Sequence, residues 1–279
     1  MDLVQAFRAT DAALAVVGAG GKKTTLYALA DRLDGAVVTA TVRIPIFDHA
    51  VDAVRVTPDP VTAAREAFVD GDGLVEETAG SGPIPADGSL GLVPERERSD
   101  RYRGYDVTGV DDLIAAHDGP VLIKADGARL REFKAPNERE PQIPSRTDVV
   151  VPIVSANVVG EPLDEAVVHR PERVVSVARA AGLDVSLGDP ITAELVGTVL
   201  ASPDGGLRGV PEGAVAIPLC NKVDDDERAE TARAIATTFR RRYDALATDS
   251  TDASRVSVPH VVLGRLIDGT VVDVVPVQG

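Results

Sequence analysis

At 279 residues, with 44% apolar side chains, the chain is long enough for one large core. Its formal net charge of −15 and pI near 4.7 exclude a general nucleic-acid-binding surface, because an acidic protein repels a polyanion. A single cysteine, Cys220, excludes an intrachain disulfide, suits a reducing compartment and reads as a small core residue.

The opening residues MDLVQAFRAT lack the basic start and apolar centre of a signal peptide. No stretch approaches the ~18 uninterrupted apolar residues of a membrane span. The expectation is a cytoplasmic protein that contacts neither membrane nor nucleic acid.

Residues 12–17 (AALAVV) read as a strand buried on both faces. It runs into Gly18, Gly20 and Gly21, then Lys22, Lys23, Thr24 and Thr25, then a helical spacing of Leu26, Leu29, Ala30 and Leu33. Strand, glycine turn, lysine–threonine and helix form the context of a phosphate-binding loop. Glycines let successive N–H groups turn toward phosphate oxygens, and the helix N-terminus adds positive potential. A lysine would reach the outer phosphates, and a threonine hydroxyl would ligate Mg²⁺. The spacing departs from G-x-x-x-x-G-K-[ST], since Val16 stands where Lys22 would require the first glycine. Lys23 with Thr24 is therefore the favoured working pair, and Lys22 the alternative.

Further along, residues 35–41 read as a second strand and 58–67 as a helix capped near Thr57 or Asp59. Residues 70–105 are rich in Gly, Pro, Asp and Glu and read as an irregular or hairpin insertion. Then come a helix at 110–116, a buried strand at 120–125 and a strand at 148–154. Helices follow at 171–181, closed by Gly182, and at 192–200, then a strand at 214–219 and a helix at 225–243. HVVLGRL and TVVDVV about IDG suggest a strand and a hairpin. This alternation predicts a single α/β domain over residues 1–279, a mostly parallel sheet with helices on both faces, organised like a P-loop NTPase.

Asp126 follows the strand at 120–125, at the sheet edge where ligands of open α/β folds collect, and Lys124 shares its face. Such a carboxylate can hold Mg²⁺ directly or through water. NKVD at 221–224 follows another strand. There Asp224 would accept from the N1–H and amine of guanine, Asn221 would tie the loop to the base edge, and the Lys222 stem would lie over the ring. The competing reading of NKVDDDE is a helix start. GTP is thus the expected nucleotide and ATP the alternative, each with Mg²⁺.

Of 29 basic residues only five are lysines, Lys22, Lys23, Lys124, Lys134 and Lys222, and each falls inside or beside one of these motifs. Arginine cannot replace a compact ammonium at a crowded phosphate site, so lysine persists where it is needed. A second concentration of positive charge includes Arg129, Arg131, Lys134, His169 and Arg170. These five could grip an anionic second ligand such as a pterin phosphate. The alternative is ion pairing with Glu132, Glu138 and Glu140.

With these motifs in order, the chain resembles the YqeC-like family of selenium-dependent hydroxylase accessory proteins. ADGARLREFKAPNEREPQIPSRTD (125–148), GEPLDEAVVHRPERV (160–174), ITAELV (191–196) and NKVD all look like that family, in the right order. The resemblance implies a P-loop-type fold and an accessory role toward a molybdenum-dependent hydroxylase or its cofactor. One departure is Lys124, which stands where an acidic residue is expected before Ala-Asp-Gly; without it hydrolysis would be slow or absent. Three readings follow. The first is a slow Mg²⁺-dependent nucleoside triphosphatase with Lys23 and Asp126 as catalytic groups and Thr24 and Asp126 on the metal. The others are a phosphoryl or nucleotidyl transferase acting on a molybdopterin-type cofactor, and a nucleotide-binding switch or scaffold without chemistry.

Abundant Asp, Ala and Val, scarce Lys and no Trp point to a proteome adapted to high salt. The expected outcome is a higher thermal midpoint in molar KCl than in dilute buffer; equal stability in the two would contradict that adaptation.

Overall fold

The computed structural model describes residues 1–68, 84–247 and 255–277. The chain opens with α1 (Leu3–Phe7), β1 (Ala13–Gly18), α2 (Lys22–Ala30) and β2 (Val37–Ala40). Next come β3 (Ile44–Pro45), β4 (Ala53–Val56), α3 (Pro60–Ala67), β5 (Leu90–Val93), β6 (Arg101–Tyr102) and α4 (Val107–Ala116). The central part holds β7 (Val121–Lys124), β8 (Phe133–Lys134), β9 (Val149–Ser155), β10 (Val168–His169) and α5 (Pro171–Ala180). It closes with α6 (Ala193–Ala201), β11 (Val215–Ala216), β12 (Leu219–Asn221), α7 (Asp226–Ala247), β13 (His260–Arg265) and β14 (Thr270–Pro276).

Ten strands form one sheet in the order β14-β13-β12-β9-β1-β7-β2-β5-β4, with β11 also beside β9. Every pair is parallel except β13 with β14, the expected C-terminal hairpin. β1 lies between β7 and β9, so the glycine turn leaves the middle of the sheet at its carboxyl edge. The period-two alternation of β1 sends Leu14 and Val16 into one core with Leu26 and Leu29 of α2. Ala13, Ala15 and Val17 enter the opposite core with Val110 and Leu113 of α4. Burial on both faces is why these strands read as unbroken apolar runs. Each fully buried Val, Leu or Ile contributes about 1.5–3 kcal/mol.

Helix starts follow local chemistry. Asp59, Asp106 and Thr192 accept from the N–H of Thr62, Gly109 and Leu195 at 3.1, 2.7 and 3.1 Å. Pro60 and Pro171 stand in the first turns of their helices, where a missing N–H costs nothing.

Two expectations gain detail. The strand at 214–219 is two strands on one line, with Val215 opposite Val149 and Leu219 opposite Ile153. Pro218, which has no N–H to give, breaks the ladder between them. In the region read as an insertion, residues 69–83 lie outside the described residues, but 84–105 supply β5, paired within the main sheet, and β6, paired with β3. β5 is only four residues long, between Ser89 and Pro94, and its register is pinned from outside. The Asp52 carboxylate accepts from the Ser89 N–H at 2.7 Å and the Ser89 hydroxyl at 2.9 Å. Among the described residues no helix is long and apolar enough to cross a membrane.

α6 and α7 pack closely at Gly197, where a Cβ would come within 2.7 Å of the Ile235 carbonyl oxygen and 2.9 Å of the Phe239 nitrogen. Gly→Ala in a helix gains roughly 0.5–1 kcal/mol from propensity, whereas overpacking costs roughly 1–3 kcal/mol. Because two of the three atoms met are backbone and the third is the Thr238 Cβ fixed to it, overpacking should win. Gly197→Ala is expected to lower the denaturation midpoint; an unchanged or raised midpoint would show that the two helices can separate at little cost.

Candidate functional site

The carboxyl ends of β1, β7, β9 and β12 meet at the glycine turn. Gly18, Gly20 and Gly21 have φ of 86°, 89° and 140°, a region that favours glycine. There is also no room for side chains. A Cβ at Gly18 would overlap the Ile153 carbonyl, one at Gly20 would lie 2.7 Å from the Ser155 nitrogen, and one at Gly21 would overlap Asn221 Nδ2. Ala19 and Gly20 donate their N–H groups to the carbonyls of Ile153 (2.8 Å) and Arg131 (3.1 Å). The backbone is thus pinned to β9 and to the segment before β8. At Gly21 it turns into α2 without a side-chain cap, so the first-turn N–H groups of Lys22, Lys23 and Thr24 lack an intrahelical acceptor. Thr25 is buried, and its hydroxyl donates to the Gly21 carbonyl at 3.1 Å.

Behind the turn lies a cage of buried charge. Asp126 Oδ2 accepts from the Gly18 N–H at 2.8 Å and stands 3.0 Å from Lys134 Nζ. Asp126 Oδ1 lies 2.8 Å from Lys22 Nζ, an ion-pair distance without the directional geometry of a hydrogen bond. Lys22 also donates to the Gly18 carbonyl. Lys134 donates to the Gly127 carbonyl at 2.7 Å and to Glu140 Oε2 at 2.8 Å, an oxygen that Arg170 Nη1 shares at 2.7 Å. Lys124 donates to the carbonyls of Arg43 (2.7 Å) and Asp126 (2.8 Å) and has no carboxylate within ion-pair range among the described residues.

All four central groups are buried: Lys22 and Lys124 are each 7% exposed, Lys134 6% and Asp126 1%. Burial would raise the Asp126 carboxyl, but the Lys22 and Lys134 ammoniums outweigh it and hold it below the usual carboxylate range. Burial pushes Lys22 down against the pull of Asp126. It pushes Lys124 down to about 7, with the neighbouring Lys22 charge adding to the effect.

This donor set does not suit a resident Mg²⁺, which wants an octahedron of oxygen ligands. Asp126 is the carboxylate expected on the metal, and a cation at either of its oxygens would lie against an ammonium. Among the described residues no group of three or more His, Cys, Asp or Glu is placed to hold an ion.

In front of the turn opens a cleft of about 800 Å³, within the ~300–1,000 Å³ range of small-molecule sites. Lys22, Lys23, Thr24 and Lys124 line it from the sheet side, Arg129, Arg131 and Lys222 from the flank, and Arg43 and Arg101 from the β3–β6 pair. Eight basic side chains line it against two carboxylates, Asp100 and Glu132. Asp100 is engaged by Arg101 at 2.7 Å and Glu132 Oε1 by Lys222 at 2.6 Å, while Glu132 Oε2 is buried without a hydrogen-bond partner among the described residues. Lys23, Arg129 and Arg131 form no ion pair among the described residues. Four of the five lysines line this cleft, and the fifth, Lys134, stands behind it on Asp126. In a chain of net charge −15 this is a strongly localised positive potential.

The other expected groups divide. Arg129 and Arg131 face the cleft, whereas Lys134 and Arg170 converge on Glu140. His169 pairs with Lys134 in the β10–β8 ladder, and burial, then the charges of Arg170 and Lys134, push its imidazole down to about 4. It is therefore neutral at pH 7. Asn221 is buried and engaged: Nδ2 donates to the Gly20 carbonyl at 2.9 Å, and Oδ1 accepts from the Leu266 N–H at 3.1 Å. Asp224 is exposed and outside the cleft lining, while Asp225 accepts from the Arg228 N–H at 2.8 Å at the start of α7. The Cys220 thiol is fully buried and pushed up to about 12, as befits a core residue. Sequence reasoning missed Arg43 and Arg101, which reach the cleft on a short strand pair with no sequence signal of its own.

A family model described as YqeC protein matches residues 14–172, more than half of the chain. The chain belongs to the YqeC family. The matched span contains the glycine turn, Asp126 with its three lysines, and Glu140 with Arg170. A relative, "Uncharacterized protein YqeC" of Escherichia coli (strain K12), is 26% identical over 219 residues, covering 77% of this chain and 78% of the relative. Asn221 lies beyond the residues matched to the family model, yet it braces the turn that opens them.

Asn221→Ala would leave the Gly20 carbonyl and the Leu266 N–H buried without partners, each costing ~1–3 kcal/mol. The expected result is a clear fall in denaturation midpoint. A loss below about 1 kcal/mol would mean that the turn holds its shape without this brace.

Proposed function

We propose that this chain binds a nucleoside triphosphate in the basic cleft and hydrolyses it slowly, as an accessory factor for a molybdenum-dependent hydroxylase. The convergence of all five lysines on one place carries the reading. The accessory role comes from the family resemblance, and the phosphate site from the residues. The first-turn N–H groups of α2 would take phosphate oxygens, and the free ammonium of Lys23 would reach the outer phosphates. Developing negative charge on a transferred phosphoryl would be met by ammoniums already in place, without reorganisation. Slow turnover follows from what the cleft lacks. Among the described residues Asp100 is tied to Arg101, and Glu132 has Oε1 on Lys222 and Oε2 buried away from solvent, so neither is well placed to position or deprotonate a water.

A second reading, transfer to a molybdopterin-type acceptor, draws support from Arg129 and Arg131. Both line the same cleft without an ion-pair partner among the described residues, which suits a second anion beside the nucleotide. In that case hydrolysis without acceptor would be negligible.

Base choice rests on Asp224, because Asn221 is engaged with the turn. In calorimetric titration with Mg²⁺ in molar KCl, GTP is expected to bind at least ~30-fold tighter than ATP, about 2 kcal/mol, with the preference lost in Asp224→Ala. Equal binding would reduce NKVD to the start of α7 and leave a general triphosphate site. No binding of either nucleotide would sink the reading.

A further inference from the structure

We propose that this cleft holds the phosphate chain of its nucleotide without a divalent cation, the buried ammoniums of Lys22 and Lys124 supplying the charge neutralisation that Mg²⁺ supplies elsewhere. This inference rests on the nucleotide-binding reading.

Three observations carry it. The first is the state of the carboxylate. Asp126 has one oxygen on the Gly18 N–H and Lys134 and the other against Lys22, so a cation there must displace a buried ammonium. The second is a donor count. An ammonium has three N–H donors. Lys134 meets three acceptors, the Gly127 carbonyl, Asp126 and Glu140, and is saturated. Lys22 meets two, the Gly18 carbonyl and Asp126, and Lys124 meets two, the carbonyls of Arg43 and Asp126. Even with the ion-pair contact to Asp126 counted against Lys22, each of these two keeps at least one donor among the described residues, and they are the two buried lysines that line the cleft.

The third is an unbalanced charge. Lys22 and Lys134 face Asp126, and Lys134 and Arg170 face Glu140, but among the described residues Lys124 meets only backbone carbonyls. A buried cation is costly unless an anion is paired with it. Among the described residues no carboxylate pairs with Lys124, and the free donor adjoins a cleft lined by eight basic residues. The missing partner is the ligand, a linear oligophosphate as carried by a nucleoside triphosphate. A phosphate oxygen between Lys22 and Lys124 would meet two positive charges, its own charge holding Lys124 protonated, the arrangement in which a divalent cation is redundant.

The test is calorimetric titration of the full chain with GTP and with inorganic triphosphate, each once in excess Mg²⁺ and once in EDTA. Affinities that differ by less than ~5-fold, about 1 kcal/mol, between the two conditions are the expected result. A larger gain with Mg²⁺ overturns the inference while leaving nucleotide binding intact. No binding under either condition overturns both. Lys124→Met keeps the length of the side chain and removes the charge. It should weaken binding in EDTA by at least ~10-fold and make binding dependent on Mg²⁺. A folded Lys124→Met protein that binds as tightly in EDTA as the parent overturns the role of Lys124. Should the variant fail to fold, the comparison on the unaltered chain decides the matter alone.

Discussion

The buried carboxylate of Asp126, held between two ammoniums, is the interaction on which the rest of the site depends. It joins pieces distant in sequence: Gly18 at the end of β1, Lys22 in α2, the residues after β7, and Lys134 in β8. Through Lys134 the connection runs on to Glu140 and to Arg170 at the start of α5. Removing one partner of a buried pair leaves an uncompensated charge and typically costs ~3–5 kcal/mol. The glycine turn, the irregular segment 127–132 and the β8–β10 ladder therefore stand or fall as a unit.

Much of this architecture is legible in the sequence, for physical reasons. β1, β7 and β9 are buried on both faces, so each appears as an apolar run, and the glycines after β1 stand where the backbone adopts positive φ. The scarcity of lysine marks Lys124 and Lys134 before any contact is known. What stays hidden is set by distance along the chain. Lys134 reaches Asp126 only because residues 127–132 fold back, with Arg129 and Leu130 both left-handed at φ 48° and 62°. No local pattern announces such a turn in non-glycine residues. β4 and β5 stay hidden for a different reason: they are short and embedded in Gly-, Pro- and Asp-rich chain, and their pairing is fixed by the Asp52–Ser89 contacts.

The motif at 221–224 shows how one residue type serves two readings. An Asn after a buried strand can meet a ligand edge or a backbone, and here its amide spans from the Gly20 carbonyl to the Leu266 N–H. The C-terminal part of the chain thereby reaches the glycine turn through the Asn221 side chain. The basic middle segment divides in a similar way, because Glu140 draws Lys134 and Arg170 inward and leaves Arg129 and Arg131 at the cleft.

The two sides of the cleft differ in how they respond to the surrounding electrolyte. Arg43 is bound to Glu97, and Arg101 to Asp100, through side chains partly open to solvent. At ~1 M salt the Debye length shrinks to about 3 Å, so pairs of this kind lose much of their mutual attraction. The charges around Asp126 are shielded from mobile ions by the protein itself. A concentrated salt solution would therefore slacken the rim of the cleft and leave the charges at its base, which ionic strength hardly reaches, at full strength.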